Sequence, residues 1–195
     1  VSLATPWRAA ACLVALGATF ALPAAAADVL HTEVSHRAGR YTVVFEFQVA
    51  ADAGAVYRRL TDYDRLDRLS RVVQHSERLP PGDDGRPRVR VVLESCVLFF
   101  CRRVRKLESV TEYPETRLLA EADPAESDYR HSRVEWRIEA RDGQTRVSYL
   151  SEQEPAFFVP PLIGPWIISS RIRSELALMA ERLEQLANAA PGDVP

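Results

Sequence analysis

Between residues 29 and 153 apolar side chains recur mostly at every second position, and beyond residue 164 the spacing changes to threes and fours. Alternation with period two marks strands with one buried face, whereas the longer spacing marks an amphipathic helix. Val43, Phe45, Phe47 and Val49 make the clearest alternation, and Ala38-Gly39 ahead of them can turn the chain from an earlier strand around Val29 to Val34. A hairpin is predicted there. Asp52 is placed to cap a short helix carrying Val56, Tyr57 and Leu60, and Asp62 or Asp64 can cap a second short turn carrying Leu66 and Leu69.

Arg71 to Leu79, Arg88 to Cys96, Cys101 to Val110, Thr116 to Ala122, Tyr129 to Ala140 and Thr145 to Gln153 read as further strands. Breakers separate them: Pro80-Pro81-Gly82 opens a loop, and Asp142-Gly143 is a tight-hairpin signal. Pro165 then opens a helix at the position where its missing N–H costs nothing. Ile168, Ile172, Leu176, Met179, Leu183 and Leu186 share one stripe of that helix, which at 1.5 Å per residue is roughly 37 Å long, enough to cross a whole sheet. The predicted architecture is α+β: a curved antiparallel sheet of about seven strands, two short helices after the first strands, and a long C-terminal helix against the sheet. Residues 28–189 are expected to form one domain and 190–195 a frayed tail.

The first residues follow a different rule. Arg8, the apolar stretch Ala9 to Leu22 and the small residues Ala24 to Ala27 have the order of a cleaved secretory signal. The stretch is short for a bilayer span, which needs about 20 apolar residues. Residues 1–27 are therefore expected to be removed and the protein to be periplasmic or secreted.

Composition adds exclusions. With 25 Lys and Arg against 27 Asp and Glu, the formal net charge is −2, so there is no basic excess to hold a nucleic acid backbone. Lys106 is the only lysine; the remaining cations are arginines, which reads as composition bias and a solvated surface. His31, His36, His75 and His131 lie on separate segments without metal-ligand spacing, and Asp62, Asp64 and Asp67 lack the glycine and closing glutamate of a calcium loop. No phosphate-binding glycine loop, nucleophile elbow or cofactor motif is found.

Two stretches carry a resemblance. The run from Ala51 to Leu66, entering the first helix and ending in the turn Thr61-Asp62-Tyr63-Asp64, is similar to the polyketide cyclase/dehydrase and coenzyme-Q-binding branch of the START (SRPBCC) superfamily. Thr145 to Tyr149 and the run Val159 to Pro165 resemble that branch's last strand and the approach to its last helix. The resemblance covers about Tyr41 to Ala187 and implies a helix-grip fold, with an internal cavity between sheet and helix for lipids, quinones, polyketides or other apolar molecules. Members of this kind are usually internal proteins, and the leader seen here departs from that.

Candidate site residues follow from parity. Trp136 shares a face with Val134 and Ile138, and Tyr149 with Val147, so both point inward, either as filled core or as cavity wall. Phe157-Phe158-Val159 and Trp166-Ile167-Ile168 form a bulky apolar lead into the last helix, either lining a ligand site or packing as a hinge. Pairing Cys96 with Cys101 across a four-residue tip sets Glu94 against Arg103 and permits a disulfide in an oxidising compartment, contributing about 2 kcal/mol for so short a loop. The same register puts Lys106 and Glu108 on the face of Val91, Leu93 and Val104, as cavity anchors or as solvent-facing charges. Leu98, Phe99 and Phe100 at the tip either fold into the core or meet a membrane surface or partner, with Arg102, Arg103 and Arg105 behind them. The function expected is an exported binding protein holding a hydrophobic small molecule. The alternative is a cyclase or dehydratase using Lys106, Glu108, Tyr149 or His131 as acid or base.

Overall fold

A computed structural model describes residues 27–97, 100–158 and 165–189. Residues 1–26, expected from the sequence as a secretory signal, Leu98 and Phe99 of the hairpin tip, residues 159–164 and residues 190–195 lie outside the described residues. The chain runs β1 (Asp28–Arg37), β2 (Arg40–Val49), α1 (Ala53–Leu60), a 3-10 turn (Tyr63–Arg68), β3 (Val73–Leu79), β4 (Arg88–Val97), β5 (Phe100–Tyr113), β6 (Arg117–Ala122), β7 (Tyr129–Arg141), β8 (Gln144–Pro155) and α2 (Pro165–Asn188). The eight strands form a single antiparallel sheet in the order β1-β2-β8-β7-β6-β5-β4-β3. This is the helix-grip arrangement predicted, with one more strand than the approximate number expected.

Local chemistry accounts for the connections. Asp142 and Gly143 have φ of 49° and 79°, both in the left-handed region that a two-residue hairpin turn requires. Asp52 caps α1 by accepting a hydrogen bond from the Ala55 amide at 3.1 Å. Asp62 stands at the head of the 3-10 turn but makes no side-chain cap, and Asp64 accepts from the Arg78 amide at 2.8 Å instead. The second short element is thus a kinked turn laced to β3. Tyr57 and Tyr63 both donate to Glu112 on β5, at 3.2 and 2.7 Å, fastening the two short helical elements to the sheet. Burial and then the Glu112 charge push the Tyr57 hydroxyl up to about 12, so it stays a donor.

The inner face of the sheet meets α2. Phe45, Phe47 and Val49 of β2, Val147 of β8, Val56 of α1 and Leu183 of α2 are all but fully buried in one cluster. Glu184 of α2 accepts from the Ala50 amide at 2.8 Å, and Thr145 donates to the Ala51 carbonyl at 2.6 Å. The first bond ties the end of α2 and the second the start of β8 to the β2–α1 corner, and both satisfy backbone groups that burial would otherwise strand.

Candidate functional site

The other end of the same inner face is hollow. A half-open cavity of about 410 Å³ lies beneath the first half of α2. Its walls are Val43 of β2, Leu93 of β4, Val104 of β5, Trp136 of β7, Tyr149 of β8 and Ile168, Ile172 and Leu176 of α2. A smaller inner space of about 170 Å³, walled by Val89, Val91, Val110 and Leu118, adjoins it. Lys106, Trp136 and Tyr149 border both, so they form the partition.

Parity puts these groups there. β5 turns Val104, Lys106 and Glu108 to one side, opposite Leu93, Val91 and Val89 of β4. Lys106 and Glu108 are buried, and the Lys106 ammonium lies 2.7 Å from Glu108 Oε1 and 5.9 Å from the centre of the Tyr129 ring. Burial works to lower the Lys106 pKa, but the charge and hydrogen bond of Glu108, with Tyr129 and Tyr149 nearby, more than offset it, and the net shift is upward. Burial likewise raises the Tyr129 and Tyr149 hydroxyls. At neutral pH this partition presents donors. Trp136 and Tyr149 stack at a tilt with ring centres 4.5 Å apart, which fixes the rings that form the wall.

The rim is charged. Glu175 of α2 binds Arg71 and Arg171, both at 2.9 Å, tying the approach to β3 to the helix. Across from it the Arg102 guanidinium lies 4.9 Å from the Phe157 ring centre, joining the start of β5 to the end of β8. Cys96 and Cys101 form a disulfide behind this rim, in the register expected from the sequence.

Of the residues singled out from sequence, Trp136, Tyr149, Phe157 and Lys106 border the main cavity and Glu108 the inner one. Phe158 and Trp166 are 75% and 74% exposed and border neither, and Ile167 is half-buried outside the lining. Of the run Trp166-Ile167-Ile168, Ile168 lines the chamber, together with Ile172 one turn further along α2. The helix presents that stripe inward and turns Trp166 out. His131 sits 3.7 Å from Glu152 and is not among the residues that line either space. Leu98 and Phe99 lie outside the described residues, and Phe100 is described only as the first residue of β5.

Tyr129 borders the cavity although simple alternation from Trp136 points Arg130 inward. A register shift between Tyr129 and His131 inserts one residue and restores Tyr129 to the inner face. Nothing in the residue types announces that bulge. Tyr41 and Gln153, paired across β2 and β8, were legible as inward by parity and also line the cavity.

A sheet gripping a long helix over an apolar chamber is the design of a class of proteins that enclose hydrophobic molecules. The family model described as polyketide cyclase / dehydrase and lipid transport matches residues 40–186, and the chain belongs to that family. Comparison with curated protein sequences gives no match. Among solved structures, the Zhui aromatase/cyclase from Streptomyces sp. R1128 is similar with a TM-score of 0.60 at 17% identity, over 80% of this chain and 99% of that one. Human STARD10 is similar with a TM-score of 0.58 at 11% identity, over 80% of this chain and 72% of that one. A STAR-related lipid transfer protein from Xanthomonas axonopodis has a TM-score of 0.55 at 15% identity, over 79% of this chain and 99% of its own. These likenesses are of fold.

Proposed function

We propose that the protein holds or carries one hydrophobic small molecule in the chamber under α2. The observation that carries this reading is the chamber itself: about 410 Å³, walled mainly by apolar and aromatic side chains, with polar groups such as Lys106, Ser151 and Gln153 among them. A space of this size falls in the range of ordinary small-molecule sites, and a single acyl chain or a three-ring aromatic is the ligand class proposed.

The state of the polar groups supports holding over proton abstraction. Lys106 is kept protonated and the Tyr129 and Tyr149 hydroxyls are pushed up by burial, so none of the three is a base at neutral pH, and the nearby carboxylates Glu108 and Glu175 are each held in ion pairs. Native mass spectrometry of the protein from its own cells should show one added mass in the range of a single-chain lipid or a small polycycle. An adduct the size of a two-chain lipid, or an empty protein that refuses apolar probes, refutes this reading.

Export and membrane contact belong to the same proposal. A disulfide suits an oxidising compartment, and Phe158 and Trp166 stand exposed, Phe158 directly after the Phe157 ring that the exposed Arg102 meets, which suits contact with a lipid interface. Leu98, Phe99 and Phe100 at the tip would join that contact. Among the described residues no helix is long and apolar enough to cross a membrane. Intact-mass measurement on fractionated cells tests export: a cytoplasmic protein that keeps residues 1–27 overturns it.

A further inference from the structure

We propose that Lys106 selects ligands bearing an uncharged hydrogen-bond acceptor, a carbonyl or hydroxyl oxygen, at the end that enters first. The inference rests on the holding function above and adds to it the chemistry of the ligand's head. Lys106 is the chain's single lysine, it is 6% exposed, and its ammonium stands at the partition between the two spaces. An ammonium has three N–H donors, and among the described residues Glu108 is the one hydrogen-bond acceptor it meets. Glu108 borders only the inner space, whereas Lys106 also borders the outer chamber. A ligand in the outer chamber therefore meets the cation and not its counter-ion. Buried donors find acceptors, and in this apolar chamber a ligand oxygen is placed to be one.

The same geometry disfavours a carboxylate. Lys106 and Glu108 already cancel, so an ionised head placed at Lys106, away from the rim cations Arg102 and Arg171, would leave one uncompensated negative charge in a low-dielectric space. Two oxygens bonded to one ammonium stand only about 4.5 Å apart, given hydrogen bonds near 2.8 Å and tetrahedral N–H directions. A ligand carboxylate would thus face the Glu108 carboxylate across that gap. A ketone, phenol or alcohol brings the acceptor without the charge.

Three rigid tricyclic probes of nearly equal shape test this: fluorene, 9-fluorenone and fluorene-9-carboxylate, each measured by displacement of a neutral fluorescent dye. The wild type is compared with the double variant Lys106→Met/Glu108→Leu, which removes both charges together and leaves neither unpaired. The wild type should bind the ketone about tenfold more tightly than the hydrocarbon, the worth of a hydrogen bond to a charged donor, and the carboxylate most weakly. The double variant should bind ketone and hydrocarbon alike. An equal ketone-to-hydrocarbon ratio in both proteins, or a carboxylate that binds tightest, overturns the selection by Lys106 while leaving the holding function standing. A wild type that takes up neither dye nor any of the three probes overturns the holding function itself.

Discussion

The two ends of α2 lie over the same sheet and do different work. At the C-terminal end Ala180 and Leu183 are fully buried against Phe45, Phe47 and Val147. Toward the N-terminal end Ile168 and Ile172 are half-buried and stand over open space, while Trp166 faces outward. The strands beneath show the same gradient. Along β8 the inward residues run from buried Thr145 and Val147 to Tyr149, Ser151 and Gln153, which line the chamber. Filling one end anchors the helix, so the other end can be held off the sheet without collapse. That is how a protein interior, normally as dense as an organic crystal, keeps a ligand-sized hollow.

The contrast predicts a graded series. Leu183→Ala, at the filled end, should cost about 4 kcal/mol of stability, because the cavity it leaves is surrounded by residues that cannot close in. Chemical denaturation reads this directly; a loss under about 1 kcal/mol would show that this end is as loose as the other.

Lys106→Met alone comes next, at about 3 kcal/mol, because it strands the Glu108 carboxylate, and the Glu108→Leu partner change should recover most of that loss. The pH dependence has a definite sign. A lysine pKa raised on folding contributes stability that is fully present below the ordinary lysine value, about 10.4, and is lost as pH rises through the higher folded value. Any ketone preference should therefore be flat from about pH 6 to 9 and fail only in strong alkali. A preference that fades near neutrality would mean that the ammonium is not the donor.

Ile172→Trp puts bulk into the hollow end, where there is room for it. Its stability change should stay within about 1 kcal/mol while probe affinity falls at least tenfold. Equal loss of both would mean that the chamber is ordinary core. Trp166→Ala should be the smallest change in stability, about 0.5 kcal/mol or less, since the side chain is mostly exposed. Its effect belongs instead to liposome binding, which should weaken; unchanged partition would remove Trp166 from any membrane contact.

Much of this molecule could be read from the chain. Period-two alternation, the Asp142-Gly143 turn, the Asp52 cap and the helical stripe after Pro165 are local signals, and each element they predict is present. The Cys96–Cys101 pairing followed from the register of one hairpin, and that register also put Lys106 and Glu108 on the inner face. A hairpin's pairing depends only on its own residues and turn, which is why sequence sufficed.

What the sequence could not determine is which inward residues meet a neighbour and which meet a hollow. Phe45 and Trp136 have the same parity and similar chemistry, yet one is sealed in the core and the other forms the chamber wall. The two flank Tyr149 on one row of the sheet, so their place along the strands is the same and what differs is the neighbour that the tertiary structure sets over each. The bulge that turns Tyr129 inward is likewise a property of the paired strands. Local pattern determined the face of most strand residues. Only the tertiary structure decided where that face is covered by side chains and where it is left open, because packing is a relation between elements and no single element contains it.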